Sequence, residues 1–338
     1  MTVTTDEVLV PDAPPIPGLA FRRPLSGERR IEDARRVAEL ECAALAADGV
    51  PWRPTGESLL ANWDHDPTSD VARDAIIAEL RGEIVAFATT GRSTKDGLRV
   101  HDTSGWVHPE WRRRGLGRAL FRANRARARE VAAAEAPSEP AWLETEADDS
   151  EAGALVLYAS EGLRPVRWYF LMRRPTLDDV PDVPLPDGLE VRPVREADHA
   201  AIEAAENEAF RDHWGHREST EEDLAARLAE PDLDASLWQV AWDGDEIAGV
   251  VQNWIWTSEN ERLGVKRGWL ERVSVRRPWR RRGLARALIA RSFNQLRERG
   301  MEDAMLGVDS DNPTGALSLY MSLGFEIDRR AAAYRGPL

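Results

Sequence analysis

Lysine is nearly absent. Lys95 and Lys266 are the only two among 45 basic residues, and the other 43 are arginines. Cysteine occurs once, at Cys42, which excludes an internal disulfide and any multi-cysteine metal site. Long apolar runs are missing as well: nothing approaches the roughly 18–20 residues of a membrane helix, and mean hydropathy is −0.48. The first sixteen residues hold Asp6, Glu7 and Asp12 but no lysine or arginine. They therefore lack the basic start of a secretory signal, and a cytoplasmic protein with no membrane partner is expected. Positive charge is in deficit. With 59 acidic and 45 basic residues the net charge is −14, which argues against general nucleic-acid binding.

What is present repeats. The 338 residues favour two domains. Residues 111–120 read Trp-Arg-Arg-Arg-Gly-Leu-Gly-Arg-Ala-Leu and residues 279–288 read Trp-Arg-Arg-Arg-Gly-Leu-Ala-Arg-Ala-Leu, a match at nine of ten positions. A second echo follows each, Gly153–Leu163 against Gly315–Phe325. Two matches in the same order imply a duplicated domain. Pro175, Pro181, Pro184, Pro186 and Gly188 mark a polar linker. The expected division is a loose tail over 1–17, a first domain over 18–175, a linker over 176–187 and a second domain over 188–338.

In the second domain, patterning predicts strands at 189–194, 237–242, 247–256, 269–275 and 304–308, with a last strand from Phe325. Helices are predicted at 196–210, 220–229, 283–299 and 314–323. The first domain predicts the same order, with strands near 74–80, 84–90, 101–107 and 141–146 and helices near 115–134 and 152–161. Strands interspersed with helices give an α/β fold with a mixed sheet in each domain.

The loop Arg280-Arg281-Arg282-Gly283-Leu284-Ala285 joins a strand to a long helix. Backbone N–H groups at a helix start lack intrahelical partners, and the macrodipole is positive there. Gly283 has no Cβ, so an anion can approach the backbone, and the guanidiniums suit phosphate oxygens. The loop reads as a diphosphate cradle. It lacks both the Lys-Ser/Thr of a P-loop and the three-glycine dinucleotide fingerprint. A solvated basic helix start is the plain alternative, which two copies behind apolar strands disfavour.

The spacing Arg112-x-x-Gly115-x-Gly117 and Arg280-x-x-Gly283-x-Ala285 resembles the acyl-CoA-binding motif of the GNAT N-acetyltransferase superfamily. Asp309-Ser310-Asp311-Asn312 and Leu319-Tyr320-Met321-Ser322-Leu323-Gly324-Phe325 are similar to that superfamily too. The resemblance covers both halves, in the tandem arrangement of its mycothiol-synthase-like members. It implies two GNAT domains, each a mostly antiparallel sheet flanked by helices, and acetyl-CoA as co-substrate. Expected cofactor contacts are Val273, Val275, Arg280, Arg281, Arg282, Gly283, Leu284, Ala285 and Arg286 in the second domain. In the first they are Val107, Arg112, Arg113, Arg114, Gly115, Leu116, Gly117 and Arg118. The resemblance also implies that Asn312 holds the pantetheine arm and that Tyr320 protonates the departing thiolate.

Amine acylation needs a base, because only the free amine attacks. Glu271 is the candidate. Strict alternation would place it with Trp269, Val273 and Val275 on one apolar face, where desolvation raises its pKa. The plainer alternative pairs it with Arg272 or Arg267. Many superfamily members carry their base nearer the position of Trp269. The first domain has Thr103 and Ser150 where the second has Glu271 and Asn312, so it is expected to hold acyl-CoA weakly or to act as a scaffold, with His101 a minor candidate base.

Asp212, His213 and Trp214 lie where an acceptor would bind. Glu206, Glu208, Glu218, Glu221 and Glu222 make that region acidic, which suits a cationic amine. Trp254 and Trp256 share a strand face, as an aromatic wall or as sheet core. His213 and His216 have no further ligands in sequence, so no metal is expected. The expected function is acetylation of a small primary amine by a monomer or homodimer. Acetylation of a protein N-terminus or lysine, and non-catalytic acyl-CoA sensing, are the alternatives.

Overall fold

The protein is described by a computed structural model at residues 7–66, 68–95, 97–136, 139–211, 213–214, 216–311 and 315–338. In chain order its strands are β1 (Leu19–Arg22), β2 (Ala75–Leu80), β3 (Glu83–Lys95), β4 (Leu98–Val107), β5 (Ala141–Asp148), β6 (Arg164–Arg174), β7 (Glu190–Arg192), β8 (Gln239–Asp243), β9 (Glu246–Trp254), β10 (Arg267–Val275), β11 (Asp303–Asp309) and β12 (Glu326–Pro337). The chain forms two compact units, Met1–Arg167 with Ala332–Leu338, and Trp168–Ala331. Residues 169–174 of β6 pair antiparallel with β11 in the second unit. Residues 332–337 of β12 lie beside β5 in the first, where Leu338 N–H donates to Ala141 O.

Within the first unit β1, β2, β3 and β4 are antiparallel neighbours, and β4 meets β5 in parallel over Arg99–Asp102. The second unit repeats this, with β7, β8, β9 and β10 antiparallel and β10 parallel to β11 over Arg267–Trp269. Both parallel pairings stop early. The ends Thr103–Val107 and Leu270–Val275 leave their parallel neighbours, which opens a cleft at the same place in each unit.

A long helix covers one sheet face of each unit, Leu116–Glu135 in the first and Leu284–Glu298 in the second. Leu284, Leu288, Phe293 and Leu296 of the second helix are buried and pack with Leu270, Leu306 and Val251 in the second core. Gly268 is required by that packing, since a Cβ there would stand 2.5 Å from Leu296 Cδ2. Parts of the expected tail and of the linker are packed. Val8 N–H donates to Phe21 O, and Val10 is buried with Phe21, Ile76 and Leu80. Leu177 of the proline-rich linker is buried in the second core. In each case apolar side chains in a polar stretch find an open core edge.

Candidate active site

Both arginine–glycine loops adopt the same strained backbone. Arg281 has φ 59° and Gly283 φ 86°; Arg113 has φ 62° and Gly115 φ 93°. A left-handed arginine is disfavoured, so the packing around it must hold the turn. Gly283 and Gly115 occupy the helix N-caps and offer no side-chain acceptor. The first intrahelical bonds come from Ala287 to Gly283 O and from Ala119 to Gly115 O. The amides of Leu284, Ala285 and Arg286, and of Leu116, Gly117 and Arg118, therefore precede the helical ladder and are available to an anion.

The arginines divide by role. Arg280 donates from Nε to Val275 O (2.9 Å) and from Nη2 to Ala209 O (2.9 Å). Arg112 does the same to Val107 O (3.2 Å) and Ala44 O (3.0 Å) and adds a bidentate pair with Asp48 at 2.7 and 2.8 Å. The first arginine of each motif is thus a strut between a strand end and a helix end. Arg281 and Arg113 line the clefts. Arg282 reaches Asp187 O, Arg286 bonds Ser322, Arg114 stacks on Trp111 at 4.5 Å, and Arg118 bonds Ser160.

The second cleft encloses about 700 Å³ between Val273, Val275, the loop, Phe210, His213 and Tyr320. The first is smaller, about 390 Å³, and includes Val107, Arg113, Gly117 and Tyr158. Tyr320 is 6% exposed, its ring lies 5.9 Å from that of Phe325, and its hydroxyl has no hydrogen-bond partner among the described residues. Burial raises its pKa well above that of an ordinary phenol, so it stays protonated at neutral pH. Tyr158 differs: its hydroxyl is 3.2 Å from Thr145 Oγ1, and burial pushes its pKa up to about 12. Sheet register sets Leu306 where the first unit has Thr145, so the second unit has no hydroxyl at that position.

Strict alternation fails on β10. The ladder to β9 pairs Leu270 with Asn253 and Arg272 with Gln252, so Glu271 is an extra, bulged residue. Trp269 packs with Trp254 and Met305, while Val273 borders the opposite core beneath the long helix. The four residues expected on one face are thus split by the bulge. Trp256 Nε1 donates to Glu271 Oε1 at 3.2 Å. Glu271 keeps solvent contact, yet crowding by the surrounding protein raises its pKa above the usual carboxylate range. Its plainer partners are engaged elsewhere: Arg272 Nε is 2.9 Å from Glu206, and Arg267 forms a bidentate pair with Asp303.

The region expected to face the acceptor is aromatic and less acidic than composition implies. Phe210 meets His213 edge-on at 4.7 Å, Trp214 lies 6.5 Å from Tyr169, and Trp254 stacks on Trp256 at 4.7 Å. Trp254 is sheet core, and Trp256 extends from it to Glu271. Glu206 is fully buried, Glu208 pairs with Arg276 at 2.7 Å and Glu218 with Arg211. Asp212 and Asn312 lie outside the described residues. Glu206 and Arg272 form a linked pair that alternation and composition do not reveal. The available signal was a glutamate on the Ile202, Ala205, Ala209 stripe, which is the buried face of the helix His199–Phe210.

In the first unit the strand before the loop carries no bulge. Its ladder from β3 to β4 runs unbroken from Ala86–Val107 to Lys95–Leu98. Thr103 is buried, donating to Thr89 O and accepting from Asn124. His101 is 3% exposed, and burial lowers its pKa.

Comparison with known proteins agrees with this architecture. Residues 199–325 match the acetyltransferase (GNAT) family and residues 72–163 an acetyltransferase (GNAT) domain. The chain is 38% identical to the mycothiol acetyltransferase of Salinispora tropica over 65% of its length and 67% of that protein. It is 30% identical to that of Kytococcus sedentarius over 92% and 95%. A GCN5-related N-acetyltransferase from Sphaerobacter thermophilus superposes with a TM-score of 0.72 at 28% identity, covering 95% of this chain and 96% of that one. A tandem GNAT protein from the clavulanic acid biosynthesis pathway shares the fold, with a TM-score of 0.67 at 19% identity over 94% and 98%. The chain belongs to the GNAT acetyltransferase family, as a tandem-domain, acetyl-CoA-dependent N-acetyltransferase.

Proposed function

We propose that the second unit transfers the acetyl group of acetyl-CoA directly to the primary amine of a small molecule, and that this acceptor is a mycothiol-related amine. The amides of residues 284–286 and the side chain of Arg281 receive the diphosphate, while Arg280 holds the loop in place. The edge of β10 at Val273 and Val275 runs beside the pantetheine arm. Glu271 takes a proton from the ammonium, so the neutral amine forms the C–N bond. As the C–S bond breaks, Tyr320 gives its proton to the sulfur; the proton that the new amide nitrogen loses restores the tyrosine, and Glu271 releases its own to solvent.

The observation that carries this reading is Tyr320, a buried side chain whose protonated hydroxyl has no partner among the described residues, in the cleft below the loop. The acceptor assignment rests on the named relatives and on the aromatic wall, which suits a ring-bearing amine. The first unit holds acyl-CoA or serves as a scaffold, and performs no transfer.

The test is release of CoA, followed chromatographically, over a panel of desacetylmycothiol, glucosamine, free amino acids and peptides. Desacetylmycothiol should turn over at least 100-fold faster in kcat/KM than the peptides. A peptide as the best acceptor would replace this reading with protein acetylation. No CoA release from any amine would replace it with acyl-CoA sensing.

A further inference from the structure

The loop struts align the two units residue by residue. Ala44 O and Ala209 O accept from Arg112 and Arg280. Three residues before each stands a buried glutamate, Glu41 and Glu206. Across from Glu206, on β10, is Arg272, three residues before Val275. Three residues before Val107 on β4 is Ser104, which carries no charge. Glu41 therefore has no arginine at that register, and β4 has no bulge. Glu206 has Arg272 at 2.9 Å, and the bulge ends at Arg272 itself.

We propose that Glu206 is a positioning residue for acetyl transfer: its ion pair with Arg272 fastens the bulged segment of β10 and thereby presents Glu271. This rests on the reading of Glu271 as the base. The clamp also has a second jaw. The Arg272 guanidinium lies 5.0 Å from the ring of Phe210, which lines the cleft and packs on His213. One buried carboxylate thus ties the helix His199–Phe210, the bulge and the acceptor wall together.

The charged surroundings are few. Gln252 Nε2 donates to Glu206 Oε2 at 2.8 Å from β9. Glu203, one turn earlier on the helix, pairs with Arg227 of the helix Glu221–Leu228. Burial, then the charge of Arg272, lowers Arg227 to about 10. Burial raises Glu206 to about 7 against the pull of Arg272, whereas burial alone takes Glu41 to about 8.

The test uses the full chain with acetyl-CoA and desacetylmycothiol. Glu206→Gln should lower kcat about 10–100-fold by misplacing the base, with acetyl-CoA affinity by calorimetry within twofold of the parent. It should also move the acidic limb of the kcat profile to lower pH, because Arg272 then acts on Glu271 without its counter-charge. Arg272→Gln should move that limb upward. Arg272→Lys, which keeps the charge and tolerates folding better, should lower kcat about tenfold with the limb unmoved. A parent-like kcat in Glu206→Gln and Arg272→Lys overturns the proposal, as does a lowered kcat with an unmoved limb in both charge-removing variants. Glu271→Gln separates the two layers. If it is inactive while Glu206→Gln is parent-like, this inference alone fails; if it retains parent turnover, the base assignment fails and this inference with it.

Discussion

The two units share a loop and part company one strand earlier. Each sets an arginine and a glycine in left-handed conformations at a helix start, and each pins the first arginine of its motif to a strand end and a helix end. Each strand before the loop also leaves its parallel neighbour to open a cleft. In the first unit the strand stays regular, the cleft tyrosine is hydrogen-bonded to Thr145, and a buried threonine, Thr103, stands where sequence alignment sets Glu271. In the second unit one extra residue interrupts the ladder, and a glutamate emerges beside Trp256. Under the proposed function the loop holds an acyl carrier in both units, and transfer belongs to the second, where the bulge presents Glu271 and the cleft contains Tyr320.

The comparison can be broken by substitution. Glu271→Gln should lower kcat about 100–1,000-fold, within the range of a lost general base, and leave acetyl-CoA affinity unchanged; steady-state rates beside calorimetry check both parts. Gly283→Val should weaken acetyl-CoA binding about 100-fold, since it forces a branched side chain into φ 86° at the anion site. Gly115→Val should leave turnover within about twofold, and an equal loss of kcat in both variants would erase the distinction between units.

Acidity gives a smaller effect. Glu271 must be ionised to accept a proton, and its surroundings raise its pKa. The rate should therefore fall as pH drops through a point above the ordinary glutamate range, and Glu271→Gln should abolish that limb of the kcat/KM profile. The smallest effect is on stability. Glu41 is pushed up to about 8 when folded, against about 4.3 in an unfolded chain. Between those values the folded protein keeps a proton that the unfolded one releases, so stability falls as pH rises through the window and is level above it. Glu41→Gln should flatten that slope and raise Tm by a few degrees at pH 8, read by calorimetry at pH 5 and pH 8.

The duplicated Trp-Arg-Arg-Arg-Gly-Leu segment was legible because a glycine hinge before an apolar helix depends on local chemistry alone. Most strands and helices followed for the same reason, from periodicity within each segment, but the strand Arg164–Arg174 and the helix Thr257–Leu263 were not read. The bulge was not legible. It arises where Leu270 and Arg272 meet successive residues of β9, a matter of cross-strand register that no single-strand pattern encodes. The pairing of Glu206 with Arg272 was hidden likewise, because composition counted Glu206 as an open acidic charge and the fold buried it. Arg280 and Arg112 looked like phosphate ligands, but a short reach to Val275 O and Val107 O commits their donors to the loop itself.

The most direct measurement compares the two cleft tyrosines. CoA release from acetyl-CoA and desacetylmycothiol is followed for Tyr320→Phe and Tyr158→Phe at equal concentration, with acetyl-CoA binding checked in each. The account predicts a kcat loss of about 100-fold or more for Tyr320→Phe, with acetyl-CoA still bound, and a loss under about twofold for Tyr158→Phe. Equal losses, or a larger loss at Tyr158, would contradict the assignment of chemistry to the second unit.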